Sequence, residues 1–232
     1  MTTNAWQKIW NGRSAPDGPL DLAALIRLDG FDSGVGRIEA DDWRIFSAAL
    51  GRKLGLADGA SVYEVGCGAG AFLYALRECH SLRVGGLDYA QTLIETARRM
   101  MPDGDFVLAE AAALPVAPAY DHVIAHGVFH YFNLDHAERV LDRMLAKARL
   151  TVAVLEVPDA RTMQESEATR AAGLTQEEYD KKYSGLAHTH YERSWFEQQA
   201  AARGLTVEIF DGFMPNHVLN AFRFGAIIRK EA

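Results

Sequence analysis

An α/β fold is predicted for this chain: a largely parallel sheet, helices on both faces, and an antiparallel pair at the C-terminal end. Two patterns predict it. From residue 60 onward, short apolar runs alternate with segments whose apolar residues recur at three-to-four spacing, which is the mark of strand–helix alternation. Past residue 204 the alternation stops, and two apolar runs follow one another with little between them, as in antiparallel strands.

Taken in order, residues 5–55 read as mostly helical. WRIFSAALGRKLGL (43–56) is amphipathic, and LIRLDGFDSGVG (25–36) interrupts the helical pattern. SVYEV, SLRVGGL, DFVLA, DHVIA and LTVAVLEV supply five parallel strands, with AFLYALREC, AQTLIETARRM and LDHAERVLDRMLAKA as helices among them. Residues 158–193 form a long insertion after the fifth strand, with a capping box from Thr175 to Glu178; insertions of this length are often lids or binding elements. SWFEQQAAARG reads as a helix with its own box, Ser194 to Glu197, and a stop at Gly204. LTVEIFDGF and NAFRFGAIIR then close the sheet. The expected organisation is one domain over 1–232, with a helical cap at 1–55 and an inserted lid at 158–193.

The 232 residues suffice for one well-buried core. No apolar run approaches the roughly 20 residues that span a bilayer, and MTTNAWQKIWNGR lacks the apolar core of a signal peptide. No membrane association and a cytoplasmic location are expected. Cys67 and Cys79 are too few for a disulfide framework and lack metal-ligand spacing. The net charge of −7, with Lys and Arg scattered, disfavours nucleic acid as a partner. Oligomeric state, monomer or homodimer, is left open.

The chemistry concentrates in SVYEVGCGAGAF (61–72). Gly66, Gly68 and Gly70 follow a strand and open a helix, where glycine permits a tight turn and close approach of a ligand to the backbone. Gly66-x-Gly68-x-x-Ala71 also satisfies the dinucleotide fingerprint, so an NAD(P)-dependent oxidoreductase is a competing reading. Glu64 stands at the end of a buried strand, where an uncompensated carboxylate is costly. Asp88 ends the next strand, where an acid receives ribose hydroxyls. Glu110 ends the third, in LAEAAALP. Acids at three successive strand ends suit a phosphate-free ligand with an amino group, a ribose and a positive centre better than a pyrophosphate.

Together these residues resemble motif I and the following signatures of the class I S-adenosylmethionine-dependent methyltransferases, with Glu110 in place of the commoner Asp. The resemblance covers residues 38–157 and extends to the last strands. It implies a Rossmann-like, doubly wound, seven-stranded sheet, mostly parallel with an antiparallel C-terminal strand. It further implies S-adenosyl-L-methionine as cofactor and S-adenosyl-L-homocysteine as product. Glu64 and the three glycines would hold the methionyl part, Asp88 the ribose, and Glu110 with Ala111 the adenine side, with Tyr89 packed on the adenine.

The fourth strand and its loop, DHVIAHGVFHYF (121–132), fall where this family places the reacting methyl group. The Pro-Pro-aromatic stretch of DNA amine methyltransferases is absent, which with the acidic charge favours a small-molecule acceptor. Methyl transfer needs alignment first, and a base only where the acceptor must lose a proton. His130 and His126 are the first candidates, the latter with an alternative role of touching the cofactor. His122, His126 and His130 are spaced by four, but they straddle a strand and a turn, so no metal site is expected. HTHYERS adds His188, His190 and Tyr191. His190 is a further catalytic candidate, while Phe31, Tyr131, His188, His190 and Tyr191 are candidates for the acceptor. LDGFD, with Asp29, is expected to join them in closing the pocket. Glu156 and Asp159 are lesser candidates; Asn216 and Arg223, near the last strands, are candidates to contact a polar acceptor, with a surface place the favoured reading for both. The ensemble is similar to small-molecule methyltransferases of bacterial biosynthetic pathways, with an oxygen or nitrogen of a metabolite as the implied acceptor. A repurposed, non-methylating member that keeps the cofactor is the other competing reading.

Overall fold

The computed structural model describes residues 5–15, 18–31 and 38–230. In the cap, α1 (Ala5–Asn11), α2 (Leu22–Leu28) and α3 (Ala40–Leu54) precede the sheet. β1 (Ser61–Val65), α4 (Ala71–Cys79), β2 (Arg83–Asp88), α5 (Gln91–Met100) and β3 (Asp105–Leu108) form the first half. β4 (Tyr120–His126), α6 (Leu134–Lys147) and β5 (Ala148–Pro158) begin the second. α7 (Met163–Ala171) and α8 (Gln176–Tyr183) make up the insertion, followed by α9 (Arg193–Ala201), β6 (Thr206–Asp211) and β7 (Arg223–Arg229).

The strand order is β3-β2-β1-β4-β5-β7-β6. β1 to β5 pair in parallel, and β7 runs antiparallel to both β5 and β6. The expected seven-stranded, mostly parallel sheet is the observed one. Its order reverses between β1 and β4, and such a switch point opens a crevice at the carboxyl ends of the strands. Glu64 lies there, between Gly86 of β2 and Ile124 of β4.

Strand alternation explains how one sheet feeds two cores. In β1, Val62 packs into the cluster under α2 to α5, whereas Tyr63 and Val65 pack into the one under α6 and α9. α6 presents Ala137, Val140, Leu141, Met144 and Leu145 to that second face, the three-to-four spacing read from its sequence. β5 turns sharply at Glu156, whose φ is 58°, and its register with β7 shifts there.

Three local expectations are corrected. LIRL belongs to α2, so the break in the cap begins only at Asp29; its residues 32–37 lie outside the described residues. The Ser194–Glu197 box does not form. α9 starts two residues earlier, with Glu192 as its N-cap, and the Arg193 side chain at its start pairs with Asp159 at 2.9 Å and with Asp211. Arg223 is not a surface residue but is buried, whereas Asn216 is exposed, as expected, and donates to Asp42 Oδ1 at 2.8 Å. The Thr175–Glu178 box is formed, and Gly204 ends α9 at a φ of 67°.

Candidate functional site

A cavity of about 850 Å³ opens at the carboxyl edge of the sheet, a size that encloses a small ligand or cofactor. The first half of the sheet lines one end with Glu64, Gly66, Gly68, Asp88, Tyr89, Glu110 and Ala111. Gly66, Gly68 and Gly70 all have positive φ. A side chain on Gly66 would overlap the Val128 methyl groups, and one on Gly68 would overlap the Asp29 carboxylate. Sterics and backbone conformation therefore both exclude side chains.

Three carboxyl groups converge on this turn. Asp88 accepts from Gly68 N at 3.0 Å and Ala90 N at 2.8 Å. Asp29, delivered by the end of α2, accepts from Ala69 N at 2.6 Å and Ala71 N at 3.0 Å. It thereby serves the N-terminus of α4, whose own N-cap, Gly70, has no side chain to offer. Glu64 is buried, and its Oε2 has no hydrogen-bond partner among the described residues. Burial raises the pKa of all three, and neighbouring acids add to it, Asp88 acting on Asp29, both acting on Glu64, and Glu110 acting on Asp88; that of Asp29 reaches about 7. Arg13, on the cavity wall, offsets part of this charge at Asp29, and a cationic ligand would offset more.

The other end is lined by the β4 loop, the insertion and the cap. Trp6 and Trp10 of α1 lie against Tyr131 at ring distances of 4.8 and 6.5 Å, and Trp6 stacks on His188 at 5.3 Å. His130 packs on Tyr131 at 3.9 Å and His188 at 4.3 Å, and its Nδ1 is buried without a hydrogen-bond partner among the described residues. Burial lowers the pKa of both histidines, that of His188 to about 3. Thr189 N donates to His130 O at 2.9 Å, joining the insertion to the loop. Glu156 accepts from, or shares a proton with, His217 Nε2 at 2.8 Å.

Several expected residues take other places. Tyr191 is fully buried in the second core, its hydroxyl donating to Phe129 O and Phe132 O at 2.9 and 3.0 Å. It does not line the cavity, and neither do His190 and Gly70. His126 lines it, but its ring is stacked on Phe31 at 5.2 Å and crowded by Trp43, Phe46 and Phe72. Its pKa is pushed down to about 4 by burial. Asp159 pairs with Arg161 and Arg193. Conversely, Trp6, Trp10, Arg170, His217 and Arg223 line the cavity although no local motif marks them. Only the aromatic spacing of Trp6 and Trp10, on one face of a helix, carried a signal.

Residues 62–150 match the family model described as a methyltransferase domain. Among solved structures, the fold is similar to magnesium protoporphyrin IX methyltransferase from Synechocystis PCC 6803 with bound SAM. That match has a TM-score of 0.60 at 15% identity, covering 98% of this chain and 93% of the other. It is also similar to the plantazolicin methyltransferase BpumL in complex with SAH, with a TM-score of 0.62 at 13% identity and coverages of 82% and 83%. A TehB-like SAM-dependent methyltransferase from Corynebacterium glutamicum matches with a TM-score of 0.56 at 17% identity, covering 83% and 96%. No curated protein sequence matches the chain.

Proposed function

We propose that this chain, which belongs to the class I S-adenosylmethionine-dependent methyltransferases, methylates an oxygen or nitrogen of a small-molecule metabolite, in keeping with a biosynthetic role. The observation that carries the reading is Glu64, a buried carboxyl group with an orphan oxygen, flanked by Asp29 and Asp88 at a turn without side chains. A pyrophosphate would add negative charge to three acids, whereas an ammonium and a sulfonium offset them. These residues fit S-adenosyl-L-methionine, which supplies an electrophilic methyl group on a sulfonium sulfur. Glu64, Gly66 and Gly68 would hold its methionyl part, Asp88 the ribose, and Tyr89, Glu110 and Ala111 the adenine.

His130 would take the acceptor's proton. Burial holds it neutral, and its orphan Nδ1 is free to accept from a hydroxyl or amine. Tyr131 and His188 would form the acceptor wall, with α1 and the 158–193 insertion excluding water above it. The overall charge of −7 supports a metabolite rather than a nucleic acid.

Calorimetry against S-adenosylhomocysteine and NADH tests the cradle. Tight S-adenosylhomocysteine binding with no NADH response is expected; the reverse would return the chain to the oxidoreductases. Incubation with labelled S-adenosylmethionine and the true acceptor then separates a transferase from a repurposed relative, since label must appear on the acceptor.

A further inference from the structure

Arg223 opens β7 opposite Pro158 at the end of β5, on the acceptor side of the switch point. It is 5% exposed and lines the cavity. A guanidinium carries five N–H donors, yet among the described residues its one hydrogen bond goes to Phe222 O at 3.3 Å. Glu156 attracts it most strongly, but that carboxylate is engaged by His217 at 2.8 Å. A buried guanidinium without a bonded anion is strongly unfavourable unless a ligand completes it.

The neighbouring charges set how much negative charge the site takes. Arg170, also on the cavity wall, is neutralised by Glu167 at 3.3 Å, and Glu167 also accepts from the Tyr179 hydroxyl. His130, His188 and His190 are held neutral, chiefly by burial. Arg13 also lines the cavity, and at this end the Arg223 guanidinium faces the Glu156 carboxylate, which opposes a ligand carrying more than one negative charge. Beside it, Trp6, Tyr131, His130 and His188 form a wall of flat rings.

Resting on the methyltransferase reading above, we infer that the acceptor is a planar aromatic monocarboxylate, its carboxylate held by the Arg223 fork and its ring laid against Trp6, Tyr131 and His188. A bidentate guanidinium–carboxylate pair fixes orientation as well as affinity, so Arg223 would decide which atom of the ring system faces the methyl group.

The test is calorimetry on protein first saturated with S-adenosylhomocysteine, then titrated with 2-naphthoate, 2-naphthamide, 2-naphthyl phosphate and cyclohexanecarboxylate. The naphthoate is expected to bind at least tenfold more tightly than each of the other three. Arg223→Gln should erase the preference for the acid over the amide without changing S-adenosylhomocysteine affinity. Arg223→Lys, which keeps the charge but loses the fork, should retain only part of it, and it provides the same contrast if the Gln variant does not fold. Equal binding of acid and amide, or a preference that survives in the variants, overturns the anchor. Tighter binding of the phosphate overturns the monoanion, and equal binding of the cyclohexane acid overturns the aromatic wall. S-adenosylhomocysteine binding in the first step without any acid preference defeats this inference alone; failure of that first step defeats the methyltransferase reading as well.

Discussion

Buried beside Asp29 and Asp88, the Glu64 carboxyl group has its pKa raised well above the ordinary range, first by burial and then by their charge. It is costly to the protein alone and useful only against a cation. Glu64→Gln preserves shape and removes that charge. It is expected to weaken S-adenosylmethionine binding by about 1.5–3 kcal/mol, the range for a hydrogen bond to a charged group, while the ligand-free melting temperature holds or rises. Calorimetry and thermal melts check both; unchanged affinity would detach Glu64 from the cofactor. Glu64 and Asp88 were legible because each stands at a set offset from a glycine turn or strand end. Arg223 was legible only as one of two alternatives, and the surface was favoured, because an arginine opening an apolar strand reads the same whether its side chain points to water or to a cavity.

The turn between β1 and α4 is held from outside its own sequence. Asp29 supplies the helix end with the acceptor that Gly70 cannot, and Val128 from the β4 loop closes over Gly66. Gly66→Ala meets two obstacles, a φ of 71° and the Val128 methyl groups. It is expected to cost about 1–3 kcal/mol of stability. Val128→Ala in the same chain should recover part of that loss by removing the clash but not the backbone strain. A double-mutant cycle in urea measures the coupling, and strictly additive losses would mean the two elements do not press on one another. Element order, the Thr175 box and the Gly204 stop were readable because each depends on residues within a turn or two. The Ser194 box is replaced by a start at Arg193, which pairs with Asp159 and Asp211, distant in the chain.

Across the whole molecule, buried acids and buried histidines give stability opposite pH dependences. Asp29, Glu64 and Asp88 have folded pKa values above their unfolded ones, so their contribution is present at low pH and lost as pH rises through the folded values, about 7 for Asp29. His126 and His188 have folded values near 4 and 3, so their contribution is present above the ordinary histidine pKa and lost on acidification. Between about pH 6.5, the ordinary histidine value, and pH 8, histidines are mainly neutral in both states and the acids dominate. The ligand-free melting temperature should therefore fall across that window. The stabilisation conferred by S-adenosylmethionine should grow across it, since its positive charge favours the ionised acids. A flat melting profile would show that the three carboxyl groups do not share one poorly solvated site.

The sequence alone determined the sheet, the side-chain-free turn and the line of acids at one sheet edge, because periodicity and short offsets carry that information within about ten residues. The tertiary structure alone decided that Asp29 seats its carboxylate on amides 40 and 42 positions away. It also decided that Arg223 faces a cavity with no carboxylate bonded to it among the described residues, and that Tyr191 belongs to the core. The physical reason is that burial and charge pairing are set by which distant elements pack together, and a residue's type does not record what is packed against it.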